Sequence, residues 1–363
     1  MASTKTKIAI ACQGGGSQTA FTAGVLKALF EADVHREFDI VSLSGTSGGA
    51  ICATLAWYAL TKGDKQPWQR LTDFWHDNTA QTPAERAFNH FVVESLRSVN
   101  RGQMPQLNMS PSSPIMQSMI GAATAGLRPR FSDFRQLLEA HIDFDETASW
   151  GTRAQRPILL LGAVDVLSGH LAKFSSREVA IRVEHILASC AVPSIFPAVE
   201  FDGAAYWDGL FSDNPPVSEM IQSRHVGAEN LPHEIWVIKI NPTRSSTVPK
   251  APEEITDRRN ELIGNVSLFQ QIDSISFVND LLLRNAFRPQ FLSQFEITSP
   301  VRVPRCFDES PVCEYHIPFI EMSPGLQSTL DYESKIDRSP ENIGALIEDG
   351  EKQARLFLKQ RKA

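Results

Sequence analysis

The chain has 363 residues, 42% hydrophobic and 21% charged, with a formal net charge of −7 at pH 7. That length holds one large α/β domain or two ordinary ones, and the composition describes a folded chain and excludes a disordered one. The acidic balance argues against a nucleic-acid surface, but not against membrane contact, for which a local apolar patch suffices.

The N-terminal MASTKTKIAIACQGGG has too short an apolar run for a signal peptide. Residues 7–12 (KIAIAC) read as a first buried strand, and Gln13-Gly14-Gly15-Gly16-Ser17-Gln18-Thr19 as a glycine-rich turn. Phe21, Val25, Leu26, Leu29 and Phe30 then share one face at helical spacing, with Lys27 and Glu31 off it. The apolar run at 40–43 predicts a second strand. It leads through Gly45-Thr46-Ser47-Gly48-Gly49, a G-x-S-x-G, into residues 50–60, apolar on every side like a buried helix. A strand that folds straight back into a helix needs glycines where side chains would clash, and it turns the residue at its apex outward. That residue is Ser47, whose hydroxyl would sit at a helix N-terminus where N–H groups favour negative charge. A Gly/Ser turn without chemistry is the alternative; the flanking strand and helix favour a nucleophile. Strand, turn and helix, twice in succession, open a mainly parallel α/β sheet.

From 63 to 146 the pattern is mostly helical. Trp68, Leu71, Phe74 and Trp75 suit one helix; Phe88, Phe91, Val92, Leu96 and Val99 a second; Phe134, Leu137, Leu138 and His141 a third. The intervening 104–127, rich in Met, Pro and small residues, is expected to be a mobile cap over the site or a long connection. Residues 157–166 (PILLLGAVDV) predict a strand, 169–174 its hairpin partner and 183–190 a helix. A loop-rich stretch with clustered Asp and Gly follows at 189–217. Residues 234–240 (EIWVIKI) predict a buried strand at the far side or edge of the sheet. Leu262, Val266, Phe269, Ile272, Ile275, Val278 and Leu282 mark a long helix over 255–283. CEYHIPFI at 313–320 looks strand-like, and a last helix starts near Pro340 with Ser339 as N-cap and Glu341 in its first turn. The uncharged stretches 40–61 and 102–127 are broken by Gly and Pro, so neither reads as a membrane span. The five cysteines, Cys12, Cys52, Cys190, Cys306 and Cys313, form no C-x-x-C pair. Free thiols in a reducing compartment are expected, with no metal and no cofactor.

Without repeats or a clear linker, the expected architecture is a three-layer α/β/α domain over 1–363. Its core motifs fall in 7–216, a helical insertion at about 64–146 and helical and C-terminal additions at about 250–363.

Serine is a poor nucleophile without a base, and acyl transfer needs N–H donors at the oxyanion. Strand ends converge on one edge of a parallel sheet, which brings the Gly14-Gly15-Gly16 turn beside Ser47. A dinucleotide fingerprint would want glycine where Thr19 stands, and a P-loop would want Gly-Lys-Ser/Thr, which is absent. Two sources of the base stand open. A triad would use a late histidine, His225, His233 or His316, although His316 lies in an alternating apolar stretch. Direct activation would use a carboxylate, with Asp208 foremost and Asp202 and Asp213 as rivals. Such an aspartate acts only where a dry site raises its basicity.

Three blocks, in order, resemble the patatin-like phospholipases, which share a core with the catalytic domain of cytosolic phospholipase A2. Gly14-Gly15-Gly16-Ser17 followed by Phe21-x-x-Gly24-Val25-Leu26 is similar to the family's oxyanion block. Gly45-Thr46-Ser47-Gly48-Gly49-Ala50 is similar to its nucleophile block. Ala188-Ser189-Cys190-Ala191-Val192-Pro193, then Phe196-Pro197, Tyr206-Trp207-Asp208-Gly209 and Asn214-Pro215, resemble its aspartate block. The resemblance implies a patatin-like fold with helical cap insertions and hydrolysis of fatty-acyl esters through an acyl-serine. It implies Ser47 as nucleophile and Asp208 as sole general base, the spacing to Asn214-Pro215 selecting Asp208 over its rivals. It implies an oxyanion hole from Gly14, Gly15, Gly16 and Ser17, with Gly45, Gly49, Gly209 and Asn214 supporting the motifs. The implied partner is a lipid or acyl-ester substrate. Separately, the apolar positions of 102–127 and 255–283 are expected either to form a peripheral membrane patch around the site mouth or to complete the core, and the protein is expected in the cytoplasm. The chain departs from the family at Gln18, usually arginine, at Thr19, usually glycine, and at Leu210, usually glycine or alanine. The lost positive charge bears on phosphate-headgroup preference or rate and leaves the backbone donors intact. A Ser-His-Asp carboxylesterase using His316, and a catalytically impaired lipid-binding protein of the same fold, are the competing functions.

Overall fold

Strands buried on both faces set the layers of the molecule. The computed structural model describes residues 5–105, 110, 112–114, 133–150, 152, 157–193, 195–294, 299–307 and 311–361. Its strands are β1 (Lys7–Cys12), β2 (Asp39–Gly45), β3 (Ile158–Asp165), β4 (Leu171–Ser175), β5 (Val199–Phe201), β6 (Ala204–Asp208), β7 (Glu234–Lys239), β8 (Val303–Pro304), β9 (His316–Ile317) and β10 (Ile320–Glu321). Among the described residues they form an eight-stranded sheet, β10–β7–β1–β2–β3–β6–β5 with β4 also on β3, and a separate β8–β9 pair. The run from β10 to β3 is parallel. β4, β6 and β5 add antiparallel pairs.

Alternation along the strands sends residues into two cores. Ile8, Ile10 and Cys12 of β1, Leu159 and Leu161 of β3, and Trp236 and Ile238 of β7 enter one. Ala9, Ala11, Ile158, Leu160, Ile235 and Val237 enter the other. The first core is covered by α1 (Ala20–Glu31), α2 (Gly48–Lys62), α3 (Gln69–Asn78) and, later in the chain, α5 (Val183–Ser189) and α7 (Pro340–Gln360). The second is covered chiefly by α6 (Pro252–Leu283), through Leu268, Ile272 and Ile275. The helix α4 (Pro83–Asn100) belongs to the insertion. α1 and α7 cross with glycine on both sides of the contact: a Cβ on Gly24 would strike the Ile347 carbonyl, and one on Gly350 the Phe21 carbonyl. The result is a three-layer α/β/α arrangement around a mainly parallel sheet, as the sequence implied.

Several local expectations change. The stretch at 189–217 is not all loop: it holds the β5–β6 hairpin, closed by Asp202 and Gly203 in the left-handed region. Only two-residue strands form within 313–320 and just beyond, β9 outside the main sheet and β10 on its edge. β7 lies second from that edge. The third insertion helix ends at Glu139, before His141. In α4 the buried residues are Glu85, Asn89 and Val93, while Phe91 is 66% exposed. α4 starts at Pro83 because Thr82 and Glu85 form a reciprocal capping box, Thr82 Oγ1 accepting from Glu85 N–H at 3.2 Å. Ser339 caps α7 as predicted, its side chain accepting from Asn342 N–H. The expected cap at 104–127 falls mostly outside the described residues. Among those residues no helix is long and apolar enough to cross a membrane, and the five cysteines are free thiols.

Candidate active site

The parallel strands β1 and β2 end side by side, Cys12 opposite Gly45. The two turns that follow therefore start from neighbouring points on one sheet edge. Ser47 sits between β2 and α2 with φ 55° and ψ −132°, a conformation that strains a residue with a side chain. Several contacts hold it there. Its N–H donates to the Ser189 carbonyl (3.0 Å) and hydroxyl (3.1 Å) oxygens, and Ser189 Oγ donates to Gly162 O (2.7 Å). Thr46 Oγ1 donates to Asp213 O (2.6 Å). Gly49 lets the start of α2 lie against the end of β1, where a Cβ would strike the Cys12 carbonyl. Ser47 is partly exposed while its neighbours Thr46 and Gly48 are buried, so the chain turns this hydroxyl toward the surface.

The carboxylate arrives by an unexpected route. β3 outlasts β2: Gly45 pairs with Leu161, and beyond that point β6 takes the vacated side of β3 in the antiparallel sense. Its last residue, Asp208, pairs with Ala163, two residues past the end of β2. That register sets Asp208 over the Ser47 turn. Asp208 is fully buried; its N–H donates to Ala191 O (3.0 Å), and its Oδ1 accepts from Leu210 N–H (2.8 Å). Oδ2 is buried without a partner of full hydrogen-bond geometry among the described residues. Burial pushes the Asp208 carboxyl up to about 7, against the opposing pull of the Leu210 amide and of the nearby Ser47 hydroxyl.

The rivals are otherwise engaged. Asp202 pairs with Arg182 in the exposed hairpin turn, and Asp213 with Lys173 (2.6 Å). His233 Nδ1 accepts from Lys7 N–H (3.1 Å) at the other end of β1 from the glycine turn. His225 faces Glu178 (3.2 Å). His316 Nδ1 accepts from Cys313 N–H (3.0 Å) in the β8–β9 region.

The glycine turn is gripped from two sides. Asn214 Oδ1 accepts from Gly14 N–H (2.6 Å), and Asn214 N–H donates to Ser267 Oγ of α6 (3.0 Å). The Gly14 amide is thus occupied, against the expectation that it faces substrate. Gly15 and Gly16 are partly exposed, and their N–H groups donate to no acceptor among the described residues. Gln13, which sequence reasoning passed over, is a buried hub. Its Oε1 accepts from the Ile240 (2.7 Å) and Asn241 (2.9 Å) amides, and its Nε2 donates to Gly264 O (2.9 Å) and Asn265 Oδ1 (3.0 Å) of α6. Its one legible sign was a polar residue directly after an apolar strand and before three glycines. Ser189, equally unforeseen, stood inside the Ala188–Pro193 block. Ser17 is buried. Gln18 is buried too, donating to Ser334 Oγ (2.8 Å) and Asp331 O (3.2 Å). Thr19 Oγ1 donates to Gly16 O (2.6 Å), and Leu210 supplies the amide on Asp208. The supporting glycines are tightly enclosed: a Cβ would meet Gly49 O at Gly45 and Gly162 O at Gly209.

The arrangement offers an outward hydroxyl, a buried carboxylate of raised basicity beside it and two amides without acceptors among the described residues. That set suits transfer of an acyl group through serine. A family model described as Patatin-like phospholipase matches residues 10–221, which contain Ser47, Asp208, Asn214 and the glycine turn. The crystal structure of VipD from Legionella pneumophila is similar at a TM-score of 0.40 and 12% identity, over 98% of this chain and 67% of that one, a likeness too low to bear on function. No curated protein matches the sequence.

Proposed function

The chain belongs to the patatin-like phospholipase family, and from that membership we propose a lipid acyl hydrolase, a phospholipase A or fatty-acyl esterase, that works through a Ser47–Asp208 dyad. The observation that carries the reading is the buried Asp208 carboxyl, pushed up to about 7, with the Ser47 hydroxyl beside it and no partner of full hydrogen-bond geometry on Oδ2 among the described residues. A base of that strength is partly ionised at neutral pH yet basic enough to accept a hydroxyl proton in the transition state.

Asp208 takes the proton as Ser47 Oγ attacks the ester carbonyl. The Gly15 and Gly16 amides receive the oxyanion, with Ser17 following in the same turn. Collapse breaks the ester C–O bond, and the proton on Asp208 passes to the departing alcohol. Water then gives its proton to Asp208 and attacks the acyl-serine. Collapse of the second tetrahedral intermediate releases the fatty acid and returns the proton to Ser47. Asn214 contributes by fixing Gly14, which keeps the next two amides aimed outward.

Peripheral contact with a bilayer belongs to the same reading. It is supported by exposed Ile195, Phe196 and Phe211 on the segments flanking Asp208, and by exposed Leu262, Ile263 and Val266 on α6. Five free thiols support work in a reducing compartment such as the cytoplasm.

The test is release of free fatty acid from phosphatidylcholine and from p-nitrophenyl acyl esters, together with labelling by a fluorophosphonate probe. Ser47→Ala is expected to abolish all three, and full turnover by that variant ends the proposal. His316→Gln is expected to change turnover less than about twofold, whereas a dead His316→Gln enzyme with its fold kept would transfer the case to a triad. A wild type that neither labels nor turns over would leave a lipid-binding protein.

A further inference from the structure

The glycine turn leans on a part of the chain far from it in sequence. A Cβ on Gly16 would strike the Lys335 carbonyl, so the two backbones touch there. Gln18 Nε2 donates to Ser334 Oγ (2.8 Å) and to Asp331 O (3.2 Å). The segment at 331–338 thus walls the turn that carries the Gly15 and Gly16 amides. It lies beyond residues 10–221, which the family model covers.

That wall has little structure of its own. Among the described residues it joins no strand and holds one 3₁₀ turn, Glu333–Lys335. Side-chain bonds from elsewhere decide its position, chiefly from α4. Arg97 donates from Nε (2.7 Å) and Nη2 (3.2 Å) to the two carboxylate oxygens of Asp331. Asn100 Nδ2 donates to Glu333 Oε1. Asn89 donates to Asp337 Oδ1 (2.7 Å) and accepts from Arg338 N–H (2.9 Å). Two further supports are the Tyr332 amide on Asp257 Oδ1 (3.1 Å) and Lys335 Nζ on Asn241 Oδ1 (2.8 Å). Asp331 stands at the corner. Its carboxylate takes the guanidinium and the Ser334 N–H (2.9 Å), and its carbonyl takes Gln18. A two-point ion pair fixes direction as well as distance. The Arg97 and Asp331 side chains are only 26% and 29% exposed, so solvent screens this pair less than a surface one.

We infer that Arg97 and Asp331 are positioning residues of the hydrolase: their ion pair holds the wall at 331–335 against Gly16 and Gln18 and so aims the Gly15 and Gly16 amides at the oxyanion. The inference rests on the lipid-hydrolase reading, in which those amides receive that charge. Neither residue touches substrate. A wall that recedes lets the turn relax, and the donors then miss a charge that forms only in the transition state. The loss falls on kcat and leaves KM almost unchanged. Asp208 is held by Ala191 and Leu210, which belong to other segments, so the pH dependence of turnover stays where it is.

The experiment measures kcat and KM on p-nitrophenyl butyrate for the wild type, Arg97→Gln, Arg97→Lys, Asp331→Asn, Gln18→Ala and the double variant Arg97→Gln/Asp331→Asn. Rates are taken per serine titrated to completion with a fluorophosphonate, so a variant that merely folds less well loses sites and not kcat. Arg97→Gln and Asp331→Asn are each expected to lower kcat about tenfold with KM within about twofold. The double variant is expected to lie within about twofold of either single one, because both act through one pair. Arg97→Lys keeps the charge without the two-point geometry and is expected to fall between wild type and Arg97→Gln. Gln18→Ala, which leaves the pair intact and cuts its link to the turn, is expected to lower kcat in the same way, and it decides alone if the other variants do not fold. The pH at which kcat/KM levels off is expected to stay at the wild-type value throughout. Unchanged kcat in Arg97→Gln and Asp331→Asn, or in Gln18→Ala, overturns the inference. So do losses that multiply in the double variant, a rise in KM alone, and a moved pH profile, which would report on Asp208 instead of the turn. Full activity in Ser47→Ala removes the hydrolase reading and this inference with it. An active, Ser47-dependent wild type whose variants keep their kcat removes the inference alone.

Discussion

Ser47 and Asp208 both sit where a protein residue would rather not be. The positive φ of Ser47 costs on the order of 1–3 kcal/mol, and the bonds to Ser189 and around Thr46 keep it from relaxing. Ser47→Gly should therefore raise Tm while removing turnover, a pairing that separates a strained functional residue from a merely structural one. Asp208 has the complementary cost. Its carboxyl lies at about 7 in the folded chain against an ordinary 3.8. The folded state keeps a proton that the unfolded state gives up, so this group's contribution to stability falls as pH rises from about 4 to about 7. The full difference corresponds to about 4 kcal/mol, an upper estimate. Asp208→Asn, which cannot ionise, should be inactive yet more stable than the wild type at pH 8, with the gain vanishing near pH 4. Denaturant titrations at the two pH values check this, and a destabilised variant at pH 8 would mean that the carboxylate is held by a cation. In the wild type, kcat/KM on a soluble ester should rise about tenfold per pH unit below about 7 and level off above it. Ser47 was legible because its glycines and the apolar runs around it are contiguous. The choice of Asp208 over Asp202 and Asp213 rested on resemblance, for the facts that separate them are an arginine, a lysine and a register between strands far apart in sequence.

At the scale of elements, the site depends on strands of unequal length. Because β3 runs past β2, β6 can enter on the same side and stop above the Ser47 turn. Long apolar strands and helices were readable from period and length. The β5–β6 hairpin was not, since its strands are short and half-buried. Nor was the orientation of α4: periodicity shows which residues share a face, but not which way that face points. The reason for its polar inner side lies in the C-terminal region. Asn89 donates to Asp337 (2.7 Å) and accepts from Arg338 N–H (2.9 Å), and Arg97 binds Asp331 (2.7 Å). These bonds tie the insertion to the segment at 331–338, which in turn abuts Gly16 and Gln18. A comparable tether, Asn214, links α6 to Gly14. Asn214→Ala should strand a buried N–H at a cost of about 1–3 kcal/mol. It should also lower kcat on a soluble ester about tenfold or more, with less effect on KM, because the donors lose their aim without the pocket losing its walls. Steady-state kinetics beside Tm tests this; an unchanged kcat would assign Asn214 to folding alone.

For the whole molecule, the proposed contact with a lipid surface has to be made by an acidic protein of net charge −7. Charge works against anionic bilayers, so the proposed contact would come from apolar area. α6 supplies some, being apolar on two sides. Leu268, Ile272 and Ile275 complete the core, and Ile255, Leu262, Ile263, Val266 and Phe277 face outward. A helix with apolar residues on both sides needs a second partner for the outer one. The inner side also carries Gly264 and Asn265, which hold Gln13, so a bilayer against the outer side would lie one helix diameter from the glycine turn. Co-sedimentation with phosphatidylcholine vesicles should then be nearly insensitive to salt between about 0.1 and 0.5 M, because screening weakens charge contacts and leaves apolar ones alone. Leu262→Glu should cut vesicle binding about tenfold while soluble-ester turnover stays within about twofold. Binding that salt abolishes, or that survives Leu262→Glu unchanged, would take α6 out of the membrane contact and leave Ile195, Phe196 and Phe211 beside the site as the surface to test.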